Sequence, residues 1–213
     1  MKREQIIEII NALLFALCGG FCDAYTLIYR GGLYSNMQTG NLVKFFISLA
    51  DGAFEIKYLS PILFFLVGIF IAILLIKNGN HRKLTVSIIL AITLANGFIP
   101  TTPVWDIVSI SSLSFIGAMQ FEAFSECLNV KYTNTMCTNN MRLLVENATT
   151  INTKEGKYKT LFFLSVIVCF SLGALLSALL GKVMGSYTIS FLAIIYLIIL
   201  IFIHLSFKKK QTV

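Results

Sequence analysis

The sequence predicts an all-α polytopic membrane protein, and three observations carry that expectation. Six apolar stretches, residues 5–28, 59–77, 84–101, 104–125, 160–183 and 187–207, have the length that a helix needs to cross a hydrocarbon core of about 30 Å. Charge is sparse: 13% of the 213 residues are charged and 57% are hydrophobic, with a mean hydropathy of +0.82. A soluble domain carries about twice that charge. Finally, one polar pattern occurs twice at a constant offset. The alternation in segments of about 10 residues that marks a transmembrane β-barrel is absent.

The first stretch follows Lys2-Arg3, but Glu4, Glu8 and Asp23 interrupt it and no small-residue cleavage site is evident. It is therefore expected to be a span and not a signal peptide. It runs into "DAYTLIYRGGLYSNMQTGN" (23–41), where Arg30-Gly31-Gly32 predicts a turn. Residues 39–50 then form a short helix of about 16–18 Å, little more than half the hydrocarbon core. The spans 59–77 and 84–101 flank a basic loop with Lys77, Arg82 and Lys83. The span 104–125 leads to a second short helix, 138–148, and the polar linker "NATTINTKEGKYK" (147–159) precedes the last two spans. No separate soluble domain is visible, so residues 1–213 are read as one membrane domain.

Set without a gap, "CGGFCDAYTLIYRGGLYSNMQTGNLV" and "GAMQFEAFSECLNVKYTNTMCTNNMR" place Asp23 on Glu122, Ala24 on Ala123 and Tyr25 on Phe124. Met37 falls on Met136, Thr39 on Thr138 and Asn41 on Asn140, each pair 99 residues apart. This predicts internal duplication, with repeat one at 5–101 and repeat two at 104–207, each holding three spans and a short broken or re-entrant helix. Length alone leaves open whether 39–50 and 138–148 cross or re-enter, but charge favours re-entry. With six crossings and both termini cytoplasmic, 13 of the 17 Lys and Arg lie inside, and Arg30, Lys44, Lys57 and Lys182 lie outside. Letting both short helices cross moves the basic loop at Lys77–Lys83 outside and weakens the bias. Three crossings per repeat is an odd number, so the halves should be inverted, as in secondary transporters whose broken helices meet near the midplane. The net charge of +7 is read as this cytoplasmic bias and not as a nucleic-acid surface.

Asp23 and Glu122 are the leading candidates for proton or cation sites. An ionisable group at the centre of a span costs at least about 2.5–3.5 kcal/mol, so it normally faces protein or water. The alternative is that both sit near helix ends and reach headgroups, as expected for Glu126. Thr39, Gly40 and Asn41, with Thr138, Asn139 and Asn140, mark the starts of the short helices. Thr39 or Asn41 can cap such a helix, and free N–H groups aimed into the protein suit an anion or carboxylate. Equally, these residues could only terminate a re-entrant loop. Lys44 and Arg142 sit one turn into the short helices, placed to pair with Asp23 and Glu122 or to snorkel. Gln38 and Tyr25 are secondary candidates. Small residues form stripes at Ala12, Ala16, Gly20 and Ala24 and at Gly173, Ser177, Gly181 and Gly185, suited to close helix packing within the protomer or across a homodimer.

Catalytic and metal signals are weak. The two histidines, His81 and His204, have no paired-ligand spacing, and the five cysteines form no metal-like CxxC pair. There is no GxSxG elbow and no phosphate-cradling glycine loop. No cofactor, metal or catalytic residue is expected, and the chain is not read as an enzyme.

"GGFCDAYTLIYRGGLYSNMQTGN" resembles the signature of the YoaK-like family of small bacterial inner-membrane proteins, a domain-of-unknown-function family. The likeness runs over nearly the whole chain and points to Gly20, Asp23, Ala24, Gly32, Thr39, Gly40 and Asn41. The second half departs from it, since Asn139 stands where a second Thr-Gly-Asn would have glycine. The resemblance implies a multi-pass protein of the bacterial cytoplasmic membrane and supplies no substrate. The expected function is passage of a small solute or ion, coupled to protons or cations through the intramembrane carboxylates. The alternatives are a membrane sensor or partner-binding subunit, and then an intramembrane enzyme.

Overall fold

A computed structural model describes residues 2–79 and 81–208; Lys209 and Lys210 of the basic C-terminal run lie outside the described residues. Among the described residues the regular structure is helical apart from one small hairpin. In order it forms α1 (Arg3–Tyr29), α2 (Gln38–Ala50), α3 (Ile56–Lys77), α4 (His81–Asn96) and α5 (Pro103–Ala123). The hairpin strands β1 (Glu126–Cys127) and β2 (Val130–Lys131) follow, then α6 (Thr138–Ala148), α7 (Lys154–Met184) and α8 (Ile189–Lys208). Among the described residues four runs are long and apolar enough to cross a membrane: α1, α3, α5 and the continuous stretch Lys154–Leu205. That last run contains α7, a 3-10 turn at Gly185–Thr188 and α8, and it breaks at Gly185, whose φ is +55°.

Local chemistry sets the element ends. Pro103 opens α5 at a position where a missing N–H costs nothing, and the Thr153 side chain accepts from the Gly156 amide to cap α7. Outward faces are apolar: Leu66, Val67 and Phe70 on α3, and Leu161, Leu175 and Leu179 on α7, are all exposed. Such faces suit lipid contact in an apolar helical protein.

α1 and α7 run side by side in the same direction. Tyr132, just after the hairpin, meets Phe162 edge-on near the start of α7, Gly173 lies under the Leu17 carbonyl, and Gly181 faces Tyr29. α3 and α5 likewise run parallel, with Ser60 bonded to Ser111 and Gly68 against the Phe115 carbonyl. α8 returns antiparallel to α4: Gly97 meets Ser190, while Arg82 and Ile203 line one cavity at the other end. α2 lies on α3, and α6 on α7. The core forms around Phe15, Phe21, Tyr25, Leu113, Met119 and Tyr196, with a second cluster beneath the hairpin at Tyr132, Phe162 and Phe163.

The two small-residue stripes face each other within the protomer. A methyl group at Gly20 would strike the Phe170 carbonyl, and one at Gly173 would strike the Leu17 carbonyl. Ala12, Ala16, Ser177 and Gly181 are buried with them. Packing within the protomer, one of the two uses the sequence allows these stripes, is thus made by Gly20, Gly173 and the residues buried with them. The span expected at 84–101 ends earlier, as α4 stops at Asn96 ahead of Gly97 and Pro100. The hairpin was not anticipated: its turn needs positive φ at Leu128 (+48°) and Asn129 (+64°), and leucine carries no signal for that conformation.

Candidate functional site

The site is built where two stretches of non-helical backbone, the α1–α2 connection and the β2–α6 connection, press on α1 and α5. At 27 residues α1 is about 40 Å long, so Gly19, its seventeenth residue, lies a little past the middle. Asn36 donates its side-chain amide to the Gly19 carbonyl (3.2 Å), and its Oδ1 sits where a side chain at Gly117 of α5 would be. Reciprocally, the Asn134 carbonyl and Thr135 Cα press on Gly19. Gly19 and Gly117, like Asn36 and Asn134, are 98 positions apart.

Asp23 stands one turn above Gly19 and is buried. Its Oδ1 accepts from the Asn36 amide (2.8 Å) and the Ser35 hydroxyl (3.0 Å), while its Oδ2 is buried without a partner. Deeper in the bundle, Gln120 donates to the Phe15 carbonyl and to Asn134 Oδ1, and accepts from the Tyr196 hydroxyl (2.8 Å). Asn134 in turn donates to the carbonyls of Gln120 and Phe124. A buried polar network this fully bonded rigidifies its surroundings, which makes the unpaired oxygens beside it conspicuous.

The asparagines at the short-helix starts act as paired clamps. Asn41 donates to the Tyr34 carbonyl (2.7 Å) and accepts from the Tyr34 amide (3.3 Å); Asn140 does the same to Thr133, at 2.6 and 3.0 Å. Capping by Thr39 or Asn41 is thereby corrected: the N-cap of α2 is Met37, with no side-chain bond, and Asn41 holds the preceding loop. Thr39, Thr138 and Asn139 face outward. Two residues along a helix is a rotation of about 200°, so an inward residue 41 or 140 forces 39 or 138 to the opposite side. Gly40 packs against the Tyr34 ring. Asn41→Ala and Asn140→Ala should each cost roughly 1–3 kcal/mol, since each strands two backbone groups, and thermal unfolding in detergent should place the two variants close together.

The same rotation separates Glu122 from Asp23. α5 turns Gly117 and Gln120 inward, leaving Glu122 half-buried on another face with no side-chain hydrogen bond among the described residues. Lys44 donates to the Gly32 carbonyl (2.6 Å), and Arg142 pairs with the exposed Glu146 (2.9 Å), so neither meets the carboxylates. Gln38 bonds the Ser35 carbonyl and accepts from Asn41, which places it within the loop network.

Both ends of the bundle are distinctive. At the N-terminal end of α1 a cavity of about 150 Å³ opens between Glu4, Glu8, Arg82 and Glu126, floored by the stacked rings of Phe15 and Phe124, 4.2 Å apart. Glu8 accepts from the Leu128 amide (3.0 Å) and so fastens the hairpin to the cavity wall. Burial, with Glu8 adding to it, pushes the Cys127 thiol up to about 12. At the opposite end Arg30 is completely buried. Its guanidinium donates to Tyr25 Oη (2.8 Å), to the Ile99 and Pro100 carbonyls (both 2.8 Å) and to Asp106 (3.2 Å). Tyr25 passes the chain of bonds on to the Ser186 carbonyl.

The family described as Protein of unknown function (DUF1275) matches residues 11–202. The chain belongs to that family. The match takes in Asp23, the loop network around it, Arg30 and all of α2 through α7, and leaves out Glu4 and Glu8 of the cavity. No curated protein and no solved structure matches the chain.

Arg30, Asn36, Gln120, Asn134 and Tyr196 were not among the candidate site residues read from the sequence. Gln120 carried a usable signal, an amide inside an apolar span. Arg30 carried another, being one of four basic residues on the side where the charge rule expects few. Asn36 and Asn134 are hidden by a one-residue slip, since they are 98 apart while the clamps are 99 apart.

Proposed function

We propose that the protein is a transporter or channel for a small solute or ion in the bacterial cytoplasmic membrane. It crosses six times, through α1, α3, α4, α5, α7 and α8, with α2 and α6 as re-entrant half-helices and both termini cytoplasmic. The observation that carries this reading is the meeting of two irregular loops near mid-depth against Gly19 and Gly117, beside a buried carboxylate. Non-helical backbone within a bilayer is tolerated only where protein or a water-filled path surrounds it, and broken helices build the substrate sites of many transporters.

The pairing of elements supports two inverted halves. Exchanging the halves turns the α1–α7 contact into α5–α3, α8–α1 into α4–α5 and α2–α3 into α6–α7, and all of these pairs pack. The acidic cavity at one end and the Arg30 plug at the other fit a state open to one side only. Solute would enter between Glu8 and Glu126, pass the Phe15–Phe124 stack and meet Gln120, Asn134 and Asp23.

Side-specific thiol labelling in intact cells tests the topology, using Phe54→Cys or Asn152→Cys on a cysteine-free background. The expected result is labelling of position 54 from outside only and of position 152 from inside only. Labelling of both from one side would defeat the inverted arrangement. In proteoliposomes, Asp23→Asn should lower solute-driven or ion-driven flux at least tenfold, and unchanged flux would count against the transport reading.

A further inference from the structure

We infer that the Arg30–Asp106 pair and the Glu8–Leu128 contact are the matched latches of two gates, and that parting the first opens a second cavity along α5. This deepens the transport reading, on which its physiological meaning rests. Each latch joins the two halves of the chain. Asp106, in the first turn of α5, accepts at 3.2 Å from the guanidinium of Arg30, the residue just past α1. Glu8, in the second turn of α1, accepts at 3.0 Å from the amide of Leu128, in the hairpin turn that follows α5. Glu8 and Asp106 are 98 positions apart, and so are Arg30 and Leu128. Gly19 with Gly117, and Asn36 with Asn134, keep the same spacing at the centre. One rule therefore relates both ends and the middle. A carboxylate near the start of one half's first helix holds the chain just past the end of the other's.

The latches differ in what lies beneath them. Beyond Glu8, the wall of α1 at Asn11, Ala12 and Phe15 lines the cavity of about 150 Å³. The same offset carries those residues to Ser109, Ile110 and Leu113 of α5, all of them buried. Arg30 is itself completely buried, and a methyl group at Gly31 would stand 3.8 Å from Ile110 Cδ1. One end is thus open and the other sealed, although both are built on one plan. The residue at the latch accounts for the difference. Leu128 offers Glu8 a single backbone amide, whereas Arg30 offers Asp106 a full charge and also binds the Ile99 and Pro100 carbonyls. Several bonds from one buried cation outweigh one amide–carboxylate bond, so the sealed end is the one with the arginine.

Exchanging the two arrangements gives the second state. In it Arg30 leaves Asp106, and Asp106, Ile110 and Leu113 line an opening on the far side, while the hairpin closes over Phe15. Arg82 lines the present cavity and forms no ion pair among the described residues. It is the cation available to Glu8 when that end closes. Inverted halves favour such an exchange, because the closed form of each end repeats contacts that already exist at the other.

The test is side-specific thiol labelling of Ile110→Cys and Asn11→Cys, each the single cysteine of an otherwise cysteine-free full chain, in intact cells and inverted vesicles. With both latches intact, a membrane-impermeant maleimide should react with position 11 from the cytoplasmic side and only very slowly with position 110 from outside. Adding Asp106→Asn should raise the rate at position 110 roughly tenfold and lower the rate at position 11. A lost bond to a charged group shifts the balance between two states by about that factor. Arg30→Lys should move both rates in the same directions by less. Faster labelling at both positions would overturn the inference, since a merely loosened fold exposes both ends. An unchanged rate at position 110 in both variants would also overturn it, and solute or ion flux in proteoliposomes would then leave the transport reading standing. Opposite changes at the two positions without any flux would keep the latches and remove the transport reading.

Discussion

Arg30→Ala is expected to destabilise the protein by about 3–5 kcal/mol, the usual cost of removing one partner from a buried charged network. In a chain of this size that corresponds to a fall in unfolding midpoint on the order of 10 °C, measured in detergent. The reason lies in what the guanidinium leaves behind. The carbonyls of Ile99 and Pro100 lose their donors, and Asp106, with its side chain 19% exposed, loses its counter-ion. Tyr25 keeps its bond to the Ser186 carbonyl but no longer receives one. Arg30→Lys should recover only part of the loss, because a single ammonium cannot present the guanidinium's fork of donors to four acceptors. Asp106→Asn should cost less, about 1–2 kcal/mol, since an amide oxygen can still accept and the position reaches water. A midpoint for Arg30→Ala within 2 °C of the native protein would show that the plug at this end is not structural.

The second large effect concerns the α1–α7 contact. Gly20→Ala and Gly173→Ala should each cost at least 2–3 kcal/mol, toward or beyond the upper end of overpacking penalties, because the added methyl strikes backbone on the neighbouring helix. Gly181→Ala should be much milder. Its methyl would meet the ring and hydroxyl of Tyr29, a half-buried side chain that can swing aside. Unfolding midpoints should therefore rank Gly181→Ala well above the other two. Equal midpoints for all three variants would mean that α1 and α7 are further apart than described here.

Much of the framework was legible in the chain. The short helix expected at 138–148 is α6 without change, and the one at 39–50 differs from α2 by one residue. Both stand out because polar residues abut an apolar run too short to cross a bilayer. The stretch 84–101 was harder: its hydropathy runs past Gly97 and Pro100, which stop the helix, and the opened carbonyls of Ile99 and Pro100 are then taken up by Arg30. In the site, Asp23 and Asn41 were found by type and spacing, but Glu122 and Thr39 were carried along by the same alignment. An offset of 99 equates positions along the chain, while inward orientation depends on helix phase, which a one-residue slip rotates by about 100°. Hence Gln120 faces the network where Glu122 was expected. Asn36 matters through its seat between Gly19 and Gly117, a property of three-dimensional packing with no sequence counterpart.

The pairing of α1 with α7 has a consequence for how the chain is made. About 125 residues separate the end of α1 from the start of α7. At the usual 5–20 residues per second, a ribosome needs roughly 6–25 seconds to deliver the partner. Throughout that interval the first helix waits with the Gly20 groove uncovered, although Ser35 and Asn36, which follow it directly, can already bond Asp23. Biogenesis of this protein thus calls for something to shelter the open small-residue groove of the first helix until most of the polypeptide has been translated.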